Sequence, residues 1–461
     1  MDVIVPWAGS SKKILLLGAG FVCRPTAEVL DDAGFSVTIA SRNLDNAKRL
    51  AEGLKHATPI SLDVTDESAL DHEVLKVALV ISLIPYTYHV TVIKSAIKHK
   101  KHVVTTSYVS PAMKALDAEC KEAGITVMNE IGLDPGIDHL WAVKTIHEVH
   151  QAGGRIKSFW SYCGGLPAPE NSDNPLGYKF SWSSRGVLLA LRNAAKFFKD
   201  GHIVEVSSTE LMGTAKPYLI YPGYAFVAYP NRDSTDYRAR YMIPEADTII
   251  RGTLRYQGFP EFIKTLVDLN FLSEEPLPIL NPKGHPASWR EATAAIIGAV
   301  SRVEEDLVAA VKSKCQFPSE DEEERIIAGL RWIGLFSDDE ITPRSNPLDT
   351  LCATLEQKMK YEDGEKDFVM LQHKFEIEHV DGTKEVRTST LAETGAPYGG
   401  KGWSAMAKLV GVPCAVAVKM VLDGAIGQHG VLAPVTEELA TPIREILKKE
   451  YGIELKEKTI A

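Results

Sequence analysis

The chain has 461 residues, and several things it lacks narrow the field. Cysteine is scarce: six residues, Cys23, Cys120, Cys163, Cys315, Cys352 and Cys414, with no C-x-x-C pair among them. Such scattering argues against a disulfide framework or a zinc site and fits reduced thiols. No H-E-x-x-H spacing occurs, so no metal is expected. Positive charge is not in excess: the formal net charge is −10, which offers no basic face to nucleic acid and no reason to expect a lipid surface as partner. No uninterrupted run of 18 apolar residues is present, so no transmembrane helix is expected. The opening MDVIVPWAGSSKK lacks a basic segment followed by a long apolar core. No signal or transit peptide is read there, and the cytoplasm is the expected location. Internal repeats and low-complexity segments are absent as well.

Apolar residues, by contrast, make up 45% of the chain, enough for sizeable cores, and the length suits roughly three domains at about 150 residues each. The first 130 residues alternate. KILLL (13–17), SVTIA (36–40), PISLDV (59–64), ALVISLI (78–84), HVVTT (102–106) and ITVMN (125–129) read as strands. Helical stretches are predicted over 22–33, 43–54 and 88–99; Leu44, Ala47, Leu50 and Ala51 share one face, as do Val90, Ile93 and Ile97. Apolar strands alternating with helices predict a parallel sheet covered on both faces. After 130 the order breaks. CGGLPAPENSDNPLGYKF (163–180) reads as a long irregular segment, and strand-like runs mix with turns over 200–260. The stretch 287–361 reads as mostly helical, and 368–393 as two strands about an Asp381-Gly382 turn. The tail is helical, with a stripe of Leu439, Ile443, Ile446 and Leu447 and an expected Glu445–Lys449 pair.

The chemistry starts at LLLGAGFVCRP. Gly18 allows the tight turn out of the first strand, and Gly20 lets the backbone approach a pyrophosphate at the helix N-terminus. The third glycine of G-x-G-x-x-G is replaced by Cys23, small enough for the packing role, and Pro25 falls in the first helical turn. Ala19, Phe21 and Val22 complete the loop. An NAD site places an acid at the end of the second strand, whereas this chain has Ser41 and Arg42, suited to a 2′-phosphate. NADP(H) is therefore the expected cofactor. Other strand ends supply further candidates: Asp63 and Val64, Ile84, Thr105 and Thr106, Ser107 and Tyr108, then Ile131, Gly132, Leu133, Asp134 and Pro135. The fold class is α/β: a Rossmann-type parallel sheet domain, a mixed α+β domain and a helical insertion.

LLLGAGFVCRP, ISLDVTD, VISLIPYTYH, NEIGLDPGIDH, SYCGGLPAPENSDNPLGYKFSWSSRGVLLALRN and RGTLRYQGFPEF resemble the NADP-dependent saccharopine reductases of fungal lysine biosynthesis. The resemblance runs through nearly the whole chain. It implies condensation of L-glutamate with 2-aminoadipate 6-semialdehyde, reduction of the imine with NADPH to saccharopine, and a homodimer. It also implies that the segment of about 395–461 packs back on an NADP-binding domain over 1–133. A substrate-binding and dimerisation domain would then cover 134–285 and 362–394, and a helical domain 286–361. A tricarboxylate needs planar cations, and Arg232 and Arg255 are candidates independently of the resemblance. By resemblance, Ser107, Tyr108, Asp134, Arg232, Thr253, Leu254 and Arg255 contact saccharopine, while Leu133, Asp134 and Asn174 lie near the cofactor. Asp134 is the leading proton-transfer candidate, ahead of Tyr108 and Cys163; its alternative role is to bind the substrate's ammonium. Two other readings stay open: a dehydrogenase of another amino diacid such as diaminopimelate, and an NADP(H)-sensing protein without activity.

Overall fold

The computed structural model describes residues 13–461, so the opening segment before Lys13 lies outside the described residues. The chain divides into two compact units. The first runs to Arg155 and takes up His379–Thr383 and Trp403–Lys458; the second holds Ile156–Glu378, Lys384–Gly402 and Thr459–Ala461.

In the first unit, six short strands follow one another: β1 (Lys13–Leu17), β2 (Ser36–Ser41), β3 (Ala57–Ser61), β4 (Leu79–Ser82), β5 (His102–Val104) and β6 (Thr126–Met128). A seventh, Gly430–Leu432, arrives from the far end of the chain and pairs in parallel with β6. The order is Gly430–Leu432, β6, β5, β4, β1, β2, β3, with every pairing parallel. Ile14, Leu15, Leu16 and Leu17 are all buried, as a sheet covered on both faces requires. The order reverses between β1 and β4, which opens the crevice where doubly wound sheets hold ligands.

Helices α1 (Cys23–Asp32), α2 (Leu44–Ala51), α3 (Glu67–Leu75) and α4 (His89–His99) make the crossovers. Helix α3 leaves little trace in the sequence pattern. Its apolar stripe is thin, with only Leu70 and Val74 buried, and Asp66 starts it by accepting from the Ala69 N–H. The third strand ends at Ser61 rather than 64, because Asp63 turns the chain by accepting from the N–H and hydroxyl of Thr65.

The helix Ala405–Leu422 closes this unit. It is long and apolar enough to cross a membrane by length and composition, yet most of it is buried inside the unit. Lys408 and Lys419 interrupt its apolar run. It packs along α1, where the Thr26 hydroxyl donates to the Gly411 carbonyl at 2.9 Å. A Cβ at Gly411 would stand 2.9 Å from the Val22 carbonyl oxygen and 3.1 Å from the Thr26 nitrogen. Backbone atoms cannot yield as side chains do. Gly411→Ala is expected to destabilise the protein by about 1–3 kcal/mol, read as a lower urea midpoint at unchanged slope. On the tail helix Glu437–Tyr451, Leu439, Ile443 and Leu447 are buried. Its ion pairs among the described residues are Arg444–Glu437 at 3.4 Å and Lys448–Glu454 at 2.6 Å, rather than Glu445–Lys449.

The second unit is built on a mixed sheet. Its strands are β7 (Arg155–Pro167), β8 (Ala195–Lys199), β9 (His202–Val206), β10 (Lys216–Pro217), β11 (Phe226–Pro230), β12 (Thr248–Tyr256), β13 (Asp367–Glu378) and β14 (Lys384–Thr394). They run in the order β10, β11, β12, β7, β13, β14, with β8 pairing β12 off this path and β9 pairing β8. The expected irregular segment 163–180 needs correction: Cys163–Pro167 finish the long central strand β7. Gly164 reads as a loop residue, but a Cβ there would lie 2.7 Å from the Leu254 carbonyl oxygen on neighbouring β12. The helices Trp289–Ile297, Glu304–Lys314, Glu320–Ile333 and Pro347–Lys358 bury Trp289, Ile296, Leu307, Ile326, Leu330 and Leu351 in one cluster with Tyr162, Ile250 and Leu254 of the sheet. The stretch expected as a separate helical domain therefore shares its core with the mixed sheet.

Candidate active site

At the carboxyl end of β1 the chain turns at Gly18, whose φ is +118°. A Cβ there would sit 2.7 Å from the Leu83 carbonyl oxygen, across the point where the strand order reverses. Gly18 thus serves close approach between two strand ends as well as the turn. A Cβ at Gly20, by contrast, would meet nothing within 4 Å, which leaves room for a ligand. Phe21 beside it is 58% exposed.

The N-terminus of α1, like that of α4, has no side-chain cap. Asn43 caps α2 and Asp66 caps α3, but no side chain caps α1 at Val22, and its first turn carries no acid. The positive dipole end of α1 thus faces the space above Gly20. Cys23 is fully buried, and burial pushes its thiol up to about 12, so it is packing rather than chemistry. The third glycine has a counterpart elsewhere, since Gly411 gives α1 its close contact.

Ser41 ends β2, and Arg42 follows, exposed. The Ser61 hydroxyl donates to the Arg42 carbonyl at 3.2 Å, which fixes the backbone of the turn and leaves the guanidinium to solvent. The Asp63 carboxyl is held below its usual range by the Thr65 N–H and hydroxyl, with a smaller contribution from Arg42. Val64 is buried and Ile84 partly so. The glycine loop, the uncapped helix and the exposed Ser41-Arg42 turn together fit a phosphorylated dinucleotide.

The ends of β5 and β6 carry the remaining candidates of this unit. The Tyr108 hydroxyl donates to Asp134 Oδ1 at 2.7 Å. Asp134 rides on a tightly folded loop: the Gly132 N–H donates to the Pro135 carbonyl at 2.9 Å, and the Ile137 N–H to the Gly132 carbonyl at 2.8 Å. A Cβ on Gly136 would fall 2.0 Å from the Gly132 oxygen, so only glycine closes this turn. Beneath it, buried Glu130 accepts from the Val109 N–H at 2.9 Å and contacts His139 Nε2 at 2.7 Å. Thr105 is buried with its hydroxyl 3.2 Å from His89 Nε2, and Thr106 packs against Gly132. Glu130, His139 and His89 were not among the expected site residues. His89 and the Gly132/Gly136 pair lie within motifs already noted, but a lone histidine beside apolar residues reads as core.

In the second unit, β12 alternates. Ile250, Gly252 and Leu254 belong to one face, and Arg251, Thr253 and Arg255 to the other. Leu254 is fully buried in the core, so its side chain is not available to a ligand. Arg255 is 7% exposed; its Nη1 donates to the Leu254 carbonyl at 2.8 Å, and Nε has no hydrogen-bond partner among the described residues. The guanidinium lies 4.8 Å from the Tyr178 ring centre and 5.2 Å from that of Phe259. Thr253 shares its register position with Tyr229 on β11 and Cys163 on β7. The Asn231 amide donates to the Thr253 hydroxyl at 3.1 Å, and Arg232 follows directly, partly buried. Asn174 is committed locally: its amide donates to the Tyr178 carbonyl at 2.9 Å and its oxygen accepts from the Leu176 N–H at 3.0 Å.

Comparison with known proteins adds to this geometry. Residues 14–128 match the family described as saccharopine dehydrogenase NADP binding domain, and residues 132–453 match saccharopine dehydrogenase C-terminal domain. The chain is 66% identical to the saccharopine dehydrogenase (NADP(+), L-glutamate-forming) of Pyricularia oryzae, over 98% of this chain and 100% of that protein. It is 60% identical to the enzyme of the same description from Saccharomyces cerevisiae, again over 98% and 100%. The solved apo structure of the L-glutamate-forming Saccharomyces cerevisiae enzyme superposes with a TM-score of 0.87 at 59% identity, covering 97% of this chain and 100% of that one.

Proposed function

The chain belongs to the saccharopine dehydrogenase family, and from that premise we propose how its residues divide the work. It is an NADP(H)-dependent oxidoreductase acting on a CH–NH bond. It joins L-glutamate to 2-aminoadipate 6-semialdehyde and reduces the imine to saccharopine, a reversible step of lysine biosynthesis.

NADPH, when bound, supplies the hydride that reduces the imine carbon. The chain's own residues bind, orient and move protons. Gly18 to Val22 and the N-terminus of α1 hold the pyrophosphate, and Ser41 and Arg42 hold the 2′-phosphate. Asp63 and Val64 flank the adenosine, while Ile84, Thr105, Thr106 and Ile131 to Pro135 line the nicotinamide half. Asn174 fits this role least, because its amide is already engaged with its own turn. Ser107, Tyr108 and Asp134 meet the reacting amino acid, and Arg232, Thr253 and Arg255 take carboxylates; Leu254 contributes through its backbone alone. The observation that carries the assignment is the Tyr108–Asp134 hydrogen bond at the carboxyl edge of the sheet. A carboxylate beside a phenol can take and return the protons of carbinolamine formation and dehydration.

The decisive assay follows NADPH oxidation with glutamate and aldehyde together and with each omitted in turn. Oxidation that needs both supports the reading, and oxidation independent of glutamate overturns it. Arg42→Ala is expected to weaken NADPH by roughly ten- to a hundredfold, the worth of a charge-assisted hydrogen bond, with NADH little affected. Equal losses for both cofactors would remove the 2′-phosphate role. We also propose a homodimer, from the family likeness, and a cytosolic location, which six free and buried cysteines suit. Light scattering coupled to gel filtration tests the dimer, and a monomer at micromolar concentration sinks it.

A further inference from the structure

His89 opens α4, immediately after the turn Tyr86–Tyr88 that follows β4. Its imidazole is 1% exposed and joins two strand ends. Nδ1 lies 2.9 Å from the Ser82 hydroxyl at the end of β4. Nε2 lies 2.8 Å from the Ser107 hydroxyl and 3.2 Å from that of Thr105, both just past β5. The Ser107 N–H in turn donates to the Thr105 hydroxyl at 3.3 Å. Burial pushes the imidazole down to about 4, so the ring is neutral near pH 7, with one nitrogen donating and the other accepting.

A hydroxyl that binds a carboxylate must donate its hydrogen, because an ionised carboxylate only accepts. A hydroxyl whose hydrogen points at a histidine cannot do so. We propose that His89 is a positioning residue for the amino-acid substrate: as the Nε2–H tautomer it donates to the Ser107 oxygen and turns the Ser107 hydrogen toward a substrate carboxylate. The Ser82 hydroxyl fixes that tautomer by donating to Nδ1. The idea rests on the reading that Ser107 contacts substrate. It explains why a buried ring bridges three hydroxyls at this edge of the sheet.

The test is a double-mutant cycle on His89 and Ser107, with KM for saccharopine and for NADP+ measured separately. Asparagine retains a polar group near the position of Nδ1, and glutamine one near that of Nε2. His89→Asn is expected to raise KM for saccharopine about tenfold, the lower end for a hydrogen bond to a charged group, with KM for NADP+ unchanged. Ser107→Ala gives a similar rise, and the double variant is no worse than Ser107→Ala alone. His89→Gln restores most of the affinity, and it carries the cycle should the asparagine variant fail to fold. A Ser107→Ala loss that adds fully to the His89→Asn loss overturns the relay and leaves the Ser107 contact standing. No effect of Ser107→Ala removes both. A purely structural role would move KM for NADP+ and the melting temperature together with KM for saccharopine, and that result also overturns the proposal.

Discussion

Replacing Arg255 by leucine is expected to raise KM for saccharopine by about a hundredfold or more, while the free protein keeps its melting temperature or gains a little. Both halves follow from one observation. The guanidinium is almost wholly buried, and among the described residues its Nε has no hydrogen-bond partner and the group makes no ion pair. Its neighbours are the faces of Tyr178 and Phe259 and one carbonyl oxygen. Burying a cation without its anion is unfavourable, so removing it costs the free protein little. Truncating one side of a buried charge pair in a complex costs about 2–5 kcal/mol, most of it from the anion left unpaired. Arg255→Lys is expected to recover only part of the loss, because a point charge cannot meet a carboxylate through two parallel N–H bonds. Saccharopine titrations and thermal melts on the same samples check it. A melting temperature that collapses with unchanged KM would show that Arg255 is structural.

Asp134→Ala should lower kcat by about 10²- to 10⁴-fold, the range of a positioned acid or base, without abolishing NADPH binding. Asp134 stands within the Gly132–Gly136 turn, and Tyr108 holds its Oδ1 at 2.7 Å. The split between parameters separates its two roles. A fall in kcat at constant KM marks proton transfer, whereas a rise in KM at constant kcat marks an ammonium site. Tyr108→Phe should show the same pattern at smaller size, since it releases the carboxylate without deleting it. An unchanged kcat together with an unchanged KM in Asp134→Ala would exclude both roles.

Much of the first unit is legible in the sequence because apolar strands and glycine turns are local signals. The pattern places the strand beginnings to within two residues, and Ser41 and Arg42 stand at the end of β2 as it specifies. What escaped was non-local. Nothing in KILLLGAGFVCRP announces that Gly411 supplies the tight helix contact, and nothing in the polar stretch 67–75 announces α3. Gly164 looked like loop because composition cannot show that a neighbouring carbonyl forbids a side chain. The site followed the same division. Strand-end residues could be named from order alone, and Arg255 from its planar charge. His89 needs three hydroxyls from separate segments before it means anything.

The seventh strand and the long helix of the first unit also carry a consequence for how the protein is made. Thr26 reaches its hydrogen-bond partner 385 residues later, and the sheet gains its last parallel strand only at Gly430. On the ribosome, at about 5–20 residues per second, the outer face of α1 waits roughly 20–80 s for its cover and the open edge of β6 roughly 15–60 s. The second unit, encoded in between apart from Thr459–Ala461, can gather its core first. During that interval the apolar side of α1 is a natural target for chaperones. A pulse-chase with limited proteolysis should find the second unit protected before the first.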